Sequence, residues 1–154
     1  MDEDIKRDRA TTLLMSFWHI QKQMALSIQK TAQQNGLSMP QYTTLLAMVH
    51  QKEMMQKRIQ QKTKLPKSTL SQAIDGLVQA GFIERRVVEG NRREMQLVVS
   101  TKGKELMSSM NTQPDGIHQL FQQVTDSLSD EKFKQMIQIH EQILTELKRG
   151  EASC

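Results

Sequence analysis

Between residues 53 and 103 the chain passes from a helical run to two strand-like runs joined by a basic tip, and few folds accommodate that order. Over residues 66–78, Leu70, Ala73, Ile74, Leu77 and Val78 recur at helical spacing on one side of an amphipathic helix. Lys67, Ser68, Thr69, Ser71, Gln72 and Asp75 are left facing out. A face of short, hydrogen-bonding side chains is what a helix needs to enter a major groove and read base edges. Residues 82–88 and 94–99 then read as the strands of a hairpin, with Gly90-Asn91 at its turn. The tip Glu89-Gly90-Asn91-Arg92-Arg93 carries two arginines able to reach phosphates or a narrow minor groove. A shorter helix over residues 55–62, centred on Ile59, completes a winged helix-turn-helix. Double-stranded DNA is the expected partner.

Charge falls in the same place. Residues 52–104 hold 12 Lys/Arg against 5 Asp/Glu, a balance of +7, whereas the net charge of all 154 residues is only +4. A basic segment on a neutral or acidic body is the electrostatic footprint of a nucleic-acid binder. Cys154 is the single cysteine, which excludes a disulfide framework and a Cys-rich metal site. No apolar run approaches the roughly 20 residues that span a bilayer, and no signal peptide opens the chain. A soluble, cytoplasmic protein without a membrane partner is expected.

The flanks are helical. Leu14, Phe17, Trp18, Met24, Ala25, Ile28 and Ala32, broadened by Leu13 and Ile20, form one long stripe that stops at Asn35-Gly36. Ser38-Met39-Pro40-Gln41 fits a capping box and starts a helix with Leu45, Leu46, Met48 and Val49 expected inside. After the hairpin, Ser100 is placed to cap a helix carrying Leu106, Met107 and Met110, which Pro114-Asp115-Gly116 breaks. Ile117, Leu120, Phe121, Val124 and Leu128 resume the stripe. Ser129 caps a last helix with Phe133, Met136, Ile137, His140, Ile143, Leu144 and Leu147 along one seam. A domain of about 50 residues cannot cover all of this apolar surface, so a second copy is expected to interdigitate with it in a two-fold contact. The fold class is then mainly α with a small β-hairpin wing: a dimerisation helix over residues 1–36, a winged helix-turn-helix over 37–104, and dimerisation helices over 105–154. A monomeric bundle closing on its own winged helix is the alternative.

Over nearly its whole length the chain resembles the MarR family of multiple antibiotic resistance regulators. Leu37-Ser38-Met39-Pro40-Gln41-Tyr42 with Leu45-Leu46-Ala47-Met48-Val49 resembles the family's second helix. Lys67-Ser68-Thr69-Leu70-Ser71, Leu77 and Gly81-Phe82-Ile83-Glu84-Arg85 resemble its recognition helix and the entry to its wing. Asn91-Arg92-Arg93 stands where the family has Asp-x-Arg, and Val99-Ser100-Thr101-Lys102-Gly103 resembles its Leu-Thr-x-x-Gly. The resemblance implies a homodimeric transcription regulator, usually a repressor, that binds a pseudo-palindromic operator and often releases it on meeting a small molecule or oxidant. It makes Lys67, Ser68, Thr69, Ser71, Gln72, Arg85, Arg86, Asn91, Arg92 and Arg93 the expected DNA contacts.

The chain also departs from that pattern. Asn91 replaces the usual Asp, so the wing is expected to be looser or Arg85 freer to meet phosphate. Met55 leaves the helix at 55–62 without a hydroxyl cap, and Lys64 replaces a glycine common in the turn of the motif. Other chemistry has little footing. His19, His50, His118 and His140 are scattered without metal-ligand spacing, and no nucleophile-base set, phosphate loop or carboxylate pair points to an enzyme or to a cofactor. Phe17, Trp18, Met48 and Met107 are expected to line a junction suited to a small apolar or aromatic effector, with plain core as the competing account. A helical module whose winged helix docks a protein is the alternative function.

Overall fold

Helix boundaries fall where the local chemistry sets them. The computed structural model describes residues 3–51 and 53–153, with the backbone alone described at 91–93. Among the described residues it holds α1 (Glu3–Gln34), α2 (Met39–Ala47), β1 (Glu53–Met55), α3 (Gln56–Thr63), α4 (Lys67–Gln79), β2 (Ile83–Val88), β3 (Asn91–Val99), α5 (Thr101–Thr112), α6 (Ile117–Asp126) and α7 (Asp130–Ala152). At the end of α1, Gly36 takes φ +67°, and the Leu37 and Gly36 amides donate to the Ala32 and Gln33 carbonyls at 2.9 and 3.1 Å. Those two bonds satisfy carbonyls that a helix end otherwise leaves open. The capping box of α2 is complete: the Gln41 amide donates to Ser38 Oγ at 3.3 Å, and the Ser38 amide donates to Gln41 Oε1 at 2.9 Å. Ser100 and Ser129 accept from the Gly103 and Lys132 amides in the same manner.

The two helices of the helix-turn-helix are built differently. Neither Met55 before α3 nor Pro66 before α4 makes a side-chain cap. Between them Lys64 sits at φ 57°, in the left-handed region that costs a residue with a Cβ about 1–2 kcal/mol. Glycine at this position would shed that strain at a smaller cost in unfolded-chain entropy, about 0.5–1 kcal/mol. Lys64→Gly should therefore raise stability by up to about 1 kcal/mol; a lower urea midpoint in the variant would refute this.

The sheet has three strands in the order β1-β3-β2, all antiparallel, and not only the two of the expected hairpin. β1 adds Glu53, Met54 and Met55 opposite Val98, Leu97 and Gln96, which buries Met54 and hands the chain directly to α3. The hairpin turns at Glu89-Gly90, one residue earlier than expected, with Gly90 at φ +85°. Asn91 pairs with Val88 inside β3, and a register shift then sets Val87 opposite Met95.

One core joins these elements. Leu45, Met48, Ile59, Leu70, Ile74, Leu77, Ile83 and Leu97 are fully buried there, each worth about 1.5–3 kcal/mol relative to exposure. Leu46, expected inside, is 43% exposed; Tyr42, Leu45 and Met48 form the inward edge instead. Within α2, Leu46 falls just past the edge of the arc that Tyr42, Thr44 and Leu45 turn inward, so it faces out.

The arms differ from the core. α7 buries no residue, and α1 buries only Thr31 and Ala32 near its end. Leu14, Trp18, Leu144 and Leu147 are all more than half exposed. Thr31 ties α1 to the start of α6: its hydroxyl donates to the Ser27 carbonyl at 2.9 Å and accepts the buried Ile117 amide at 3.0 Å. Asn35 donates to Gln113 Oε1 at 2.7 Å across the same joint. No described helix is long and apolar enough to cross a membrane.

Candidate nucleic-acid interface

The amphipathic pattern of α4 turns one face fully inward. Leu70, Ala73, Ile74 and Leu77 are buried, and Val78 is half-buried. Lys67, Ser68, Gln72 and Asp75 are exposed on the other face, with Thr69 and Ser71 at its edges. Ser71 Oγ is met by the Gln56 amide group at 3.4 Å, a link from α3 that holds this edge of α4. Gly76 faces α2 so closely that a Cβ there would collide with the Gln41 amide. The space beside Gly76 is thus taken up by the end of the Gln41 side chain.

The arginines of β2 are occupied. Arg85 makes an ion pair and hydrogen bond with Asp75 of α4, and Arg86 pairs with Glu84 at 3.5 Å. Both pairs are exposed to solvent, where such contacts contribute about 0–1 kcal/mol. The Asp75–Arg85 contact fixes the direction of a side chain more than it stabilises the fold. Arg85 is thus directed along α4, away from the free position that a missing wing carboxylate was expected to leave it. The expected contacts at Asn91, Arg92 and Arg93 rest on side chains outside the described residues, as does Cys154.

The start of α5 locks the turn between α4 and β2. Gly81 takes φ +80° there, and the Phe82 amide returns to the Leu77 carbonyl at 2.9 Å. Ser100 Oγ donates to the Gly81 carbonyl at 2.5 Å, and Lys102 Nζ donates to the Ala80 carbonyl at 2.8 Å. The same ammonium lies 4.9 Å above the Phe82 ring, a cation–π contact. Recognition helix, wing and α5 therefore meet at one clamped corner.

The four residues expected at an effector junction do not come together within one chain. Phe17 packs edge-on to His140 of α7, 5.9 Å between ring centres, and Trp18 faces solvent. Met48 and Met107 are buried in the lobe and border a separate cavity of about 330 Å³ with Val49, His50, Gln51, Val99 and Lys104. A contact that sequence reasoning missed bridges lobe and arm: Tyr42 Oη and His118 Nε2 share a hydrogen bond of 2.9 Å. Burial pushes the Tyr42 phenol up and the His118 imidazole down, so both favour their neutral forms. Gln56 and Asp75 give no sequence signal as positioning residues, because their partners lie 15 and 10 residues away on other elements.

Comparison with known proteins places these features. The MarR family model matches residues 35–94, from the end of α1 into the wing. No curated protein matches the chain. Among solved structures, AbfR of Staphylococcus epidermidis shares 19% identity, with 96% of this chain and 98% of that one covered and a TM-score of 0.74. A MarR transcriptional regulator from Methanosarcina mazei shares 19%, with 90% and 98% covered and a TM-score of 0.71. A MarR family regulator from Streptomyces coelicolor, solved in complex with DNA, shares 18%, with 87% and 85% covered and a TM-score of 0.71. At these identities the structures speak for the fold, and the family match speaks for the lobe that carries α3, α4 and the wing. The lobe over residues 35–94 thus matches the MarR family, and the chain as a whole shares the fold of solved MarR transcription regulators.

Proposed function

We propose that this protein is a sequence-specific, DNA-binding transcription regulator that acts as a homodimer on a pseudo-palindromic operator. The observation that carries the reading is the outer face of α4, where Lys67, Ser68 and Gln72 stand exposed while the opposite face is fully buried. That arrangement lays a rigid helix into a major groove with its polar ridge against base edges. Residues 37–104 serve as the DNA-reading lobe, and residues 1–36 and 105–154 as the dimerisation arms. Arg92 and Arg93 at the wing reach the flanking minor groove or its phosphates, and a cytoplasmic location follows from the partner. Repression by occupancy is the mode the family favours. A small apolar or aromatic effector would act by favouring an arrangement of the arms that misplaces the two copies of α4.

A duplex from the region upstream of its own gene should be retarded in a gel at lower protein concentration than a scrambled duplex. Gln72→Ala should lose discrimination at one operator position, by about 1–3 kcal/mol, and leave the other positions unaffected. Equal weakening on every sequence would show that Gln72 positions the protein and reads nothing. Failure of the wild type to prefer any duplex would favour the protein-docking alternative.

A further inference from the structure

A cleft of about 900 Å³ opens beside the start of α4, walled by α3 on one side and by β3 on the other. α3 lines it with Lys57 and Arg58 among three glutamines; Lys67 stands at the first residue of α4, and Glu94 and Met95 come from the wing. Lys57, Arg58, Lys67 and Glu94 are exposed. Among the described residues no ion pair involves any of the four, in contrast to Arg85 and Arg86, whose charges are met by carboxylates. Among those residues, Lys57, Arg58 and Lys67 therefore count with the lobe's cations that lack a carboxylate partner, whereas Arg85 and Arg86 at the base of β2 do not. The Glu94 carboxylate faces them across the cleft.

Resting on the DNA-binding reading above, we propose that this cleft grips one phosphate strand of duplex DNA through Lys57 and Arg58 of α3, opposite Lys67, and that Glu94 opposes the grip as an electrostatic brake. Three exposed cations along a cleft of about 900 Å³ suit a polyanion. Lysine and arginine at its walls supply contacts that carry no sequence information but fix how α4 sits in the adjacent groove. Phosphates passing between α3 and the wing come within the screening distance of Glu94, about 8 Å at physiological salt. Its charge then weakens binding to all duplexes alike and leaves the ratio between operator and other DNA unchanged. A protein whose residence on unrelated DNA is shortened in this way searches faster for its site.

The test measures affinity by fluorescence anisotropy on two labelled duplexes, the upstream region of its own gene and a scrambled sequence of equal length, over a range of salt. Arg58→Gln and Lys57→Gln should weaken both duplexes by similar factors and lower the slope of log affinity against log salt by about 0.9 each. Glu94→Gln should strengthen both several-fold. Each side chain is exposed, so thermal midpoints should match the wild type and separate loss of contact from loss of fold. Unchanged slopes in both α3 variants would overturn the grip. Weaker binding by Glu94→Gln at one base position would overturn the brake and make Glu94 a reader of a cytosine amine. A wild type that binds neither duplex would instead bring down the DNA-binding reading, and the cleft proposal with it.

Discussion

Leu144→Asp combined with Leu147→Asp is expected to split the proposed dimer into monomers and to lower affinity for the proposed operator by two or more orders of magnitude. Both leucines lie on the seam of α7 and are 54% and 63% exposed within one chain, so the substitutions remove nothing from the chain's own core. In a two-fold contact every position counts twice. Each buried leucine is worth about 1.5–3 kcal/mol, and a carboxylate left unpaired in its place costs more again. The association cannot absorb losses of that size. Separated copies would each bind one half-site, without the gain of about 10²–10⁴ that linkage of two sites brings. Sedimentation should show a species near 17.7 kDa for the variant and near twice that for the wild type. A variant that sediments as a dimer would place the dimer contact elsewhere.

The second large effect belongs to one missing methyl group. Gly103 opens α5 directly against the β2 entry, where a Cβ would collide with the Phe82 carbonyl oxygen and lie 2.8 Å from Val99 Cγ1. Alanine is the better helix former by about 1 kcal/mol, so propensity alone predicts a more stable protein. Geometry reverses the sign, because a backbone carbonyl cannot rotate aside as a side chain can. Gly103→Ala should lose about 1–3 kcal/mol net of the propensity gain, read as a lower denaturant midpoint. Gly150, with nothing within 4 Å of its would-be Cβ, is the control, and Gly150→Ala should be neutral or mildly stabilising. Equal effects at both sites would show that the α5 corner yields more readily than its packing implies. Because the same corner holds the Gly81 turn and the Lys102–Phe82 contact, Gly103→Ala should also misplace α4 relative to the wing.

Features that depend on near neighbours along the chain are legible in the sequence itself. Ser38 with Gln41, Ser100, Ser129, Asn35-Gly36 and Pro114-Asp115-Gly116 each act over three or four residues, and each begins or ends a helix where expected. The inward face of α4 is legible for the same reason. β1 is not, because three residues are too short to show alternation and Met54 becomes strand only by pairing with Leu97. Leu46 turns outward against expectation because it lies just past the edge of the arc that Tyr42, Thr44 and Leu45 bury, and only tertiary packing decides how wide that arc is. The hairpin turn shifts by one because the register shift near Val87 absorbs the residues that the expected Gly90-Asn91 turn would have needed. Arg85 is the instructive case. Its charge is visible in the sequence, but its ion pair with Asp75 exists only once α4 and β2 are packed side by side. Charge counts find the basic segment without finding which cations are free.

The sheet order has a consequence for how such a protein can be remodelled. β3 has neighbours on both sides only as far as the Met55–Gln96 pair; outward of it, β2 alone accompanies β3. Among the described residues, the outer ribbon therefore carries no part of the buried core, while the inner half of β3 anchors it through Leu97 and Val99. Residue pairs added or removed around Glu89-Gly90 change the reach of the wing and leave every core contact in place. Reach and foldedness become separate variables, so the wing can be fitted to a wider or narrower groove at almost no risk to the rest of the molecule.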